Sequence, residues 1–279
     1  MILSAHEITF LQRLIADRPA TRKPGPLSST IATYGVGRAS GRSIHYGPDD
    51  WERAAKLLEN RGIPLTRPAG EIRRAETAEY SGVSEKVFGS RPHSNSVALR
   101  TAHGECVLDG AELKAPGGGY MVLRTDDALR VQCDRILLVE NLETFRDLDR
   151  YKWIDYARRS TLAIFRGDPT FGLADTAKVL AARMELVDAF VDFDPAGLSI
   201  AASLPRLARL ILPDERWLVS AIQQSKRYDL YDAQIGVYGA KLAASTHPDI
   251  VHSFALLKEL RQGYNQEWME SAPTTRTSD

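Results

Sequence analysis

The sequence predicts an α/β fold, a parallel sheet with helices on both faces, preceded by a small helical module and a short β region. Three observations predict it. From Arg135 to Pro213 apolar, strand-like runs alternate with helical patterns, the pattern of strands joined by helical crossovers. Acids or glycine turns close those runs, where open parallel sheets gather functional groups. Before residue 96 the texture is instead helical and basic.

The 279 residues suffice for one large or two modest domains. A content of 43% hydrophobic and 26% charged residues excludes a mainly disordered chain. No apolar run approaches the ~20 residues that span a bilayer. Met1-Ile-Leu-Ser-Ala-His-Glu7 lacks the basic segment and apolar core of a secretory signal. Two cysteines, Cys106 and Cys133, make no disulfide framework and match no zinc spacing. The expectation is a soluble, cytoplasmic protein with no membrane partner.

The 36 basic and 36 acidic residues balance, but unevenly along the chain. Residues 18–74 hold eleven Lys and Arg against five Asp and Glu, a net of +6 that leaves the remainder at −6. A basic front and an acidic back suit a part that meets a polyanion and a part that holds cations. A solvated surface with uneven charge gives the same count.

The elements follow in order. Ile8, Leu11 and Ile15, with Phe10 and Leu14, predict a helix over 5–17 that Pro19 ends. Pro24-Gly25-Pro26 marks a loop, and 42–46 a short strand. Asp49 or Asp50 caps a helix through Trp51, Ala54, Leu57 and Leu58, stopped at Arg61-Gly62. Helix, loop, strand and helix with a basic bias suit a winged-helix-like module. Short β-like runs follow at 96–100, 105–108, 120–124 and 129–132. Strands are then expected at 136–140, 161–165, 189–193 and 207–212, with helices at 141–149, 176–186 and 195–204. Trp217 to Trp268 reads as helices, and the tail from Ala272 as frayed.

Glu140 ends the first of these strands, and Asp192 and Asp194 the third. Residues two apart on a strand face one side, so both aspartates point one way while Phe193 turns into the core. With the two strands adjacent, three carboxylates converge. Such a group repels itself unless a cation is present. Oxygen donors without His or Cys favour Mg²⁺ or Mn²⁺, which keep positions for water and phosphate oxygens. Asp194-Pro195 equally reads as a helix start, and Asn141 beside Glu140 as a cap. Both readings stand at this point.

The runs Ile136-Leu-Leu-Val-Glu140-Asn-Leu-Glu-Thr-Phe145 and Val191-Asp192-Phe-Asp194-Pro195-Ala-Gly197-Leu198 resemble the two signature motifs of a Toprim domain. This is the Glu plus Asp-x-Asp metal fold of topoisomerases, primases and several nucleases. Two branches are most similar: the A subunit of type IIB topoisomerases with its meiotic transesterase relatives, and JetD, the nuclease subunit of Wadjet SMC-type plasmid defence. Arg166-Gly167-Asp168-Pro169 sits where those proteins carry a glycine-bearing turn, and Asn265-Gln266-Glu267 resembles a Gln-Glu motif of the JetD branch.

The resemblance implies that Glu140, Asp192 and Asp194 are catalytic ligands of Mg²⁺ or Mn²⁺, with Glu140 also a general acid/base and Gly167 and Gly197 in supporting turns. It implies a DNA endonuclease, homodimeric, acting on double-stranded DNA beside an SMC-type ATPase complex. The implied organisation is a basic, winged-helix-like DNA-binding module over 1–95, a β-rich connecting segment over 96–132, a Toprim-like catalytic domain over 133–271 and a flexible tail over 272–279. Arg42, Lys56, Arg61, Arg67 and Arg91, the last in the loop 90–96, are the candidate phosphate contacts.

Two other functions fit the sequence. A topoisomerase VI A-like transesterase would use Tyr34 or Tyr46, but neither stands in that branch's Arg-Asp-x-Tyr-Tyr context. Without a positioned tyrosine a covalent intermediate has no carrier, and hydrolysis remains. A non-catalytic DNA-binding module would use its acids only to cap helices.

Overall fold

The computed structural model describes residues 3–66, 93–168 and 171–274. Arg67, Arg91 and the last five tail residues lie outside them. The chain divides after residue 92 into two compact units.

In the first unit, helix Ala5–Asp17 begins at a reciprocal cap in which Glu7 N–H donates to Ser4 Oγ and Ser4 N–H to Glu7 Oε2. Its face of Ile8, Leu11 and Leu14 is buried against Ile31, Ile44, Ala54 and Leu58. The segment expected as a Pro-Gly-Pro loop is different: Pro26 opens helix Pro26–Thr33, because its fixed φ suits the first helical position. Strands β1 (Thr21–Arg22), β2 (Arg38–Ser40) and β3 (Ser43–His45) pair antiparallel in the order β1-β3-β2. The following helix spans Pro48–Glu59, not starting at Asp49 or Asp50. Asp50 instead accepts N–H groups from Gly47 (3.0 Å) and Gly37 (2.9 Å), tying the helix start to the turn before β2.

The second unit is a mixed α/β structure. Its strands are β4 (Ser96–His103), β5 (Val107–Leu108), β6 (Ala111–Glu112), β7 (Met121–Arg124), β8 (Arg135–Val139), β9 (Thr161–Phe165), β10 (Leu186–Phe190) and β11 (Leu207–Leu210). Six form one sheet in the order β11-β10-β8-β9-β4-β7, with β5 and β6 as a separate hairpin. The four strands β11, β10, β8 and β9 run parallel, as expected from sequence. β4 runs antiparallel to both β9 and β7, so the sheet is mixed. The segment 96–132, read as a connector, thus supplies two of the six strands.

Two sequence expectations need correction here. Leu129–Gln132 is not a strand: helix Thr125–Arg130 runs through it, favoured by Asp126 and Asp127 in the first turn. β10 starts at Leu186, three residues before the expected strand, and ends at Phe190.

Alternation along β8 and β9 divides the apolar residues between two cores. Ile136, Leu138, Leu162 and Ile164 pack on one face with Val179 and Leu180 of helix Leu173–Ala182. Leu137, Val139, Ala163 and Phe165 pack on the other with helices Pro195–Ala201, Glu215–Ser225 and Pro248–Leu260. Buried on both faces, the strands hold a fixed register in which Val139 stands opposite both Phe165 and Phe190. That register aligns the strand ends from which the candidate site is built. Among the described residues, no helix is long and apolar enough to cross a membrane.

Candidate functional site

Three adjacent parallel strands end together. Glu140 follows β8 and extends its pairing by one bond, its N–H donating to Phe190 O (3.1 Å). Arg166 follows β9, its N–H donating to Val139 O (2.9 Å), and its guanidinium lies 3.5 Å from Glu140 Oε1. Asp192 lies two residues beyond β10, and its N–H donates to Glu140 Oε2 at 3.3 Å. The sheet therefore gathers a glutamate, an arginine and an aspartate at its carboxyl edge.

These carboxyls are held away from water. Burial first, and then the charge of Asp192, pushes the Glu140 carboxyl up to about 7. Burial, with Asp194 and Glu267 nearby, pushes Asp192 up to about 6. Arg166 pulls both back down without cancelling the burial. Near neutrality the pair therefore holds less negative charge than two free carboxylates.

Asp194 stands differently. Its Oδ1 accepts the N–H of Gly197 (2.7 Å), capping helix Pro195–Ala201, and its Oδ2 accepts from Gln234 Nε2 (2.9 Å). The two aspartates do not share a strand face as expected, because both follow the end of β10. Phe193 between them is fully buried and pairs with Tyr264 through bonds in both directions, Phe193 N–H to Tyr264 O (2.9 Å) and the reverse (3.0 Å). Gly197 is required by space: a Cβ there would lie 2.1 Å from Asp192 O. Gly167 is required by both space and conformation, with φ at +91° and a Cβ position 2.6 Å from Phe171 O.

The segment after the last helix completes the site. Gln266 is fully buried; its backbone N–H donates to Asp192 Oδ1 (2.7 Å), its Nε2 to Phe190 O (2.8 Å), and its Oε1 accepts from Asn141 N–H (3.0 Å). One side chain thus fastens the ends of β8 and β10 to the 3₁₀ turn Gln266–Ser271. Asn141 caps helix Leu142–Arg146 with its Oδ1, as the sequence suggested, while its Nδ2 donates to Glu267 Oε1. Glu267 Oε2 is a buried oxygen without a hydrogen-bond partner.

The donors here are carboxylate oxygens, the chemistry that a hard divalent cation takes. Glu140 and Asp192 supply oxygens whose charge burial penalises, and Glu267, whose charge reaches Asp192, has an orphaned acceptor in Oε2. Both Asp194 oxygens already accept one hydrogen bond, leaving only second lone pairs. Among the described residues, no three His, Cys, Asp or Glu side chains gather tightly enough to hold an ion as they stand.

The other sequence candidates lie in the first unit. Arg42 is exposed; Lys56 pairs with Glu52 (2.7 Å), and Arg61 donates to Leu57 O (2.8 Å). The Tyr34 hydroxyl donates to Glu7 Oε1 (2.7 Å), a bond that raises its pKa. Tyr46 is buried with its hydroxyl unpartnered, and burial raises its pKa. In the second unit, Asp214 caps helix Glu215–Ser225 through the N–H groups of Arg216 and Trp217. Sequence reasoning assigned no role to Arg166, Gln234 or Asn141 Nδ2, whose partners lie far along the chain.

Comparison with known protein families gives one match on this part of the chain. A family model described as a domain of unknown function (DUF7281) matches residues 94–273, spanning the sheet, the carboxylates and the closing turn. No curated protein matches the chain.

Proposed function

This chain belongs to the DUF7281 family, a domain of unknown function, and we propose that it is a metal-dependent DNA endonuclease of Toprim type. One observation carries the reading: Glu140 and Asp192, partly buried at the ends of adjacent parallel strands and joined by the Asp192 N–H to Glu140 Oε2, stand with Glu267, whose charge reaches Asp192 and whose Oε2 has no partner. Arg166 and two backbone N–H groups offset this charge only in part, and a cation would offset the rest.

When bound there, Mg²⁺ or Mn²⁺ would polarise a phosphoryl oxygen and lower the pKa of a water. Glu140, Asp192 and the free oxygen of Glu267 would have to draw closer than they stand to hold the ion, with Asp194 supporting the helix start behind Asp192. Arg166 beside Glu140 offers its remaining N–H donors to a phosphate oxygen. Glu140, with a carboxyl near 7, exchanges a proton with water or a leaving oxygen at neutral pH. Gln266 holds the Asp192 carboxylate in one orientation.

The resemblance to JetD extends the proposal to a homodimer, one site for each strand of double-stranded DNA, serving an SMC-type complex. It also makes the first unit a winged-helix-like DNA-binding module. A second reading, a non-catalytic module whose acids cap helices, is favoured by the Asp194 cap and by the Gln266 N–H, first of the 3₁₀ turn, that Asp192 accepts; Glu140 starts no helix. Supercoiled-plasmid cleavage with Mg²⁺ or Mn²⁺ decides between them. Nicking or linearisation that E140A and D192A abolish is the expected result, and cleavage that survives both overturns the site.

A further inference from the structure

The segment that closes the carboxylate site has a second face. Gln266 and Glu267 point toward Asp192 and Asn141, while Tyr264 and Trp268 line a groove of about 480 Å³. The opposite wall is one face of helix Glu215–Ser225, carrying Trp217, Ser220 and Gln224 at helical spacing. Two residues of chain span at most about 7 Å. The groove therefore adjoins the stretch of chain that closes the carboxylate site.

The lining selects among ligands. The Tyr264 ring meets Trp217 at 6.1 Å and 88° and Trp268 at 5.5 Å and 76°, so both indoles stand edge-on to it. The Arg227 guanidinium, paired with Asp229 through two bonds of 2.7 Å, lies 5.5 Å from the Trp268 ring. Flat aromatic faces beside a cation suit a stacked heteroaromatic ring. Gln224 Nε2 donates to Ser220 Oγ (3.2 Å), which leaves the Gln224 Oε1 and its second amide hydrogen for a base edge, groups that an apolar peptide leaves unpaired.

We propose that this groove takes an unstacked nucleobase from the strand whose phosphate lies at Glu140 and Asp192, so that the substrate is nucleic acid opened locally at the site of reaction. The inference rests on the nucleic-acid reading above and deepens it. An intact duplex keeps its bases stacked and offers none to the groove, whereas a single strand, a frayed end or a sharply bent duplex does.

The test is direct binding of the full chain, in EDTA, to a short oligothymidylate and to an abasic oligonucleotide with the same number of phosphates. Tryptophan emission and anisotropy give the two affinities. The expected result is at least a roughly 5-fold preference for the oligothymidylate, as one stacked base supplies. W268A should erase that preference and W268F retain most of it; Trp268 is 41% exposed, so neither change disturbs a core. Equal binding of the two oligonucleotides, binding of neither, or a preference unchanged in W268A overturns the proposal. Plasmid cleavage separates it from the nuclease reading: a base preference without metal-dependent cleavage leaves the groove standing, and cleavage without a base preference leaves only the carboxylate site.

Discussion

The backbone N–H of Gln266 donates to Asp192 Oδ1 over 2.7 Å, joining residues 74 positions apart. The Gln266 side chain secures the same junction from behind by bonding Asn141 N–H and Phe190 O. Replacing it by Ala leaves a buried amide unpaired and a cavity where the side chain was. Q266A should therefore cost about 2–4 kcal/mol of stability, read as a lower denaturant midpoint. Hydrogen exchange should show residues 264–271 opening before the sheet, and equal protection in both would remove Gln266 from this role.

Stability without metal should depend on pH in a direction set by Glu140. Its folded pKa, about 7, lies above the ordinary 4.5, so the folded state binds the proton more tightly than the unfolded one. The destabilisation is absent below about pH 4.5, grows through the interval and is complete above about pH 7. E140Q removes it, and should be more stable than the wild type by roughly 1–3 kcal/mol at pH 8 and equal to it near pH 4.5. Mn²⁺ or Mg²⁺ should raise the wild-type melting temperature at pH 8 and not at pH 5, where protons occupy the ligands. A metal effect of the same size at both pH values would exclude these carboxylates as its source.

The two aspartates should separate by phenotype. D194A removes a helix cap and orphans the Gln234 amide, a loss of about 2–3 kcal/mol visible in thermal melting. D192A removes a buried charge and should leave metal-free stability at pH 8 within about 1 kcal/mol of the wild type, while abolishing metal-dependent cleavage and the metal-induced melting shift. Matching behaviour of the two variants in both measurements would return Asp194 to the same role as Asp192.

Gly197 tests how closely helix Pro195–Ala201 approaches the site. A Cβ placed 2.1 Å from Asp192 O forces the helix start and the aspartate apart. G197A should lose about 3 kcal/mol or more together with metal binding. A crystal structure of G197A with an unmoved Asp192 carbonyl would show the site to be more tolerant than this geometry allows.

The parallel strands were legible because burial on both faces writes unbroken apolar runs such as Ile136-Leu-Leu-Val139. The third strand was displaced for an identifiable reason. Asp188 interrupts its apolar pattern, yet is buried between Arg135 (3.3 Å) and Arg209 (2.6 Å), and only those distant partners make it tolerable in a strand. That error moved Asp192 and Asp194 onto a strand they follow. The direction of β4 is set by its pairing with β9 and β7, which apolar patterning does not encode. That Glu140 closes an apolar strand was legible in the same way. The bonds of Gln266 and Glu267 were not, since nothing in periodicity reports a hydrogen bond across the length of a domain.

Gln266 lies 76 positions beyond Phe190, whose carbonyl it binds. At typical synthesis rates a ribosome takes about 4–15 s to cover that distance. During that interval each nascent chain carries the strands that Glu140 and Asp192 follow without the residue that fixes Asp192. The acidic pair is locked only when the end of the domain arrives, so order of synthesis gives an unfinished chain an unfinished site.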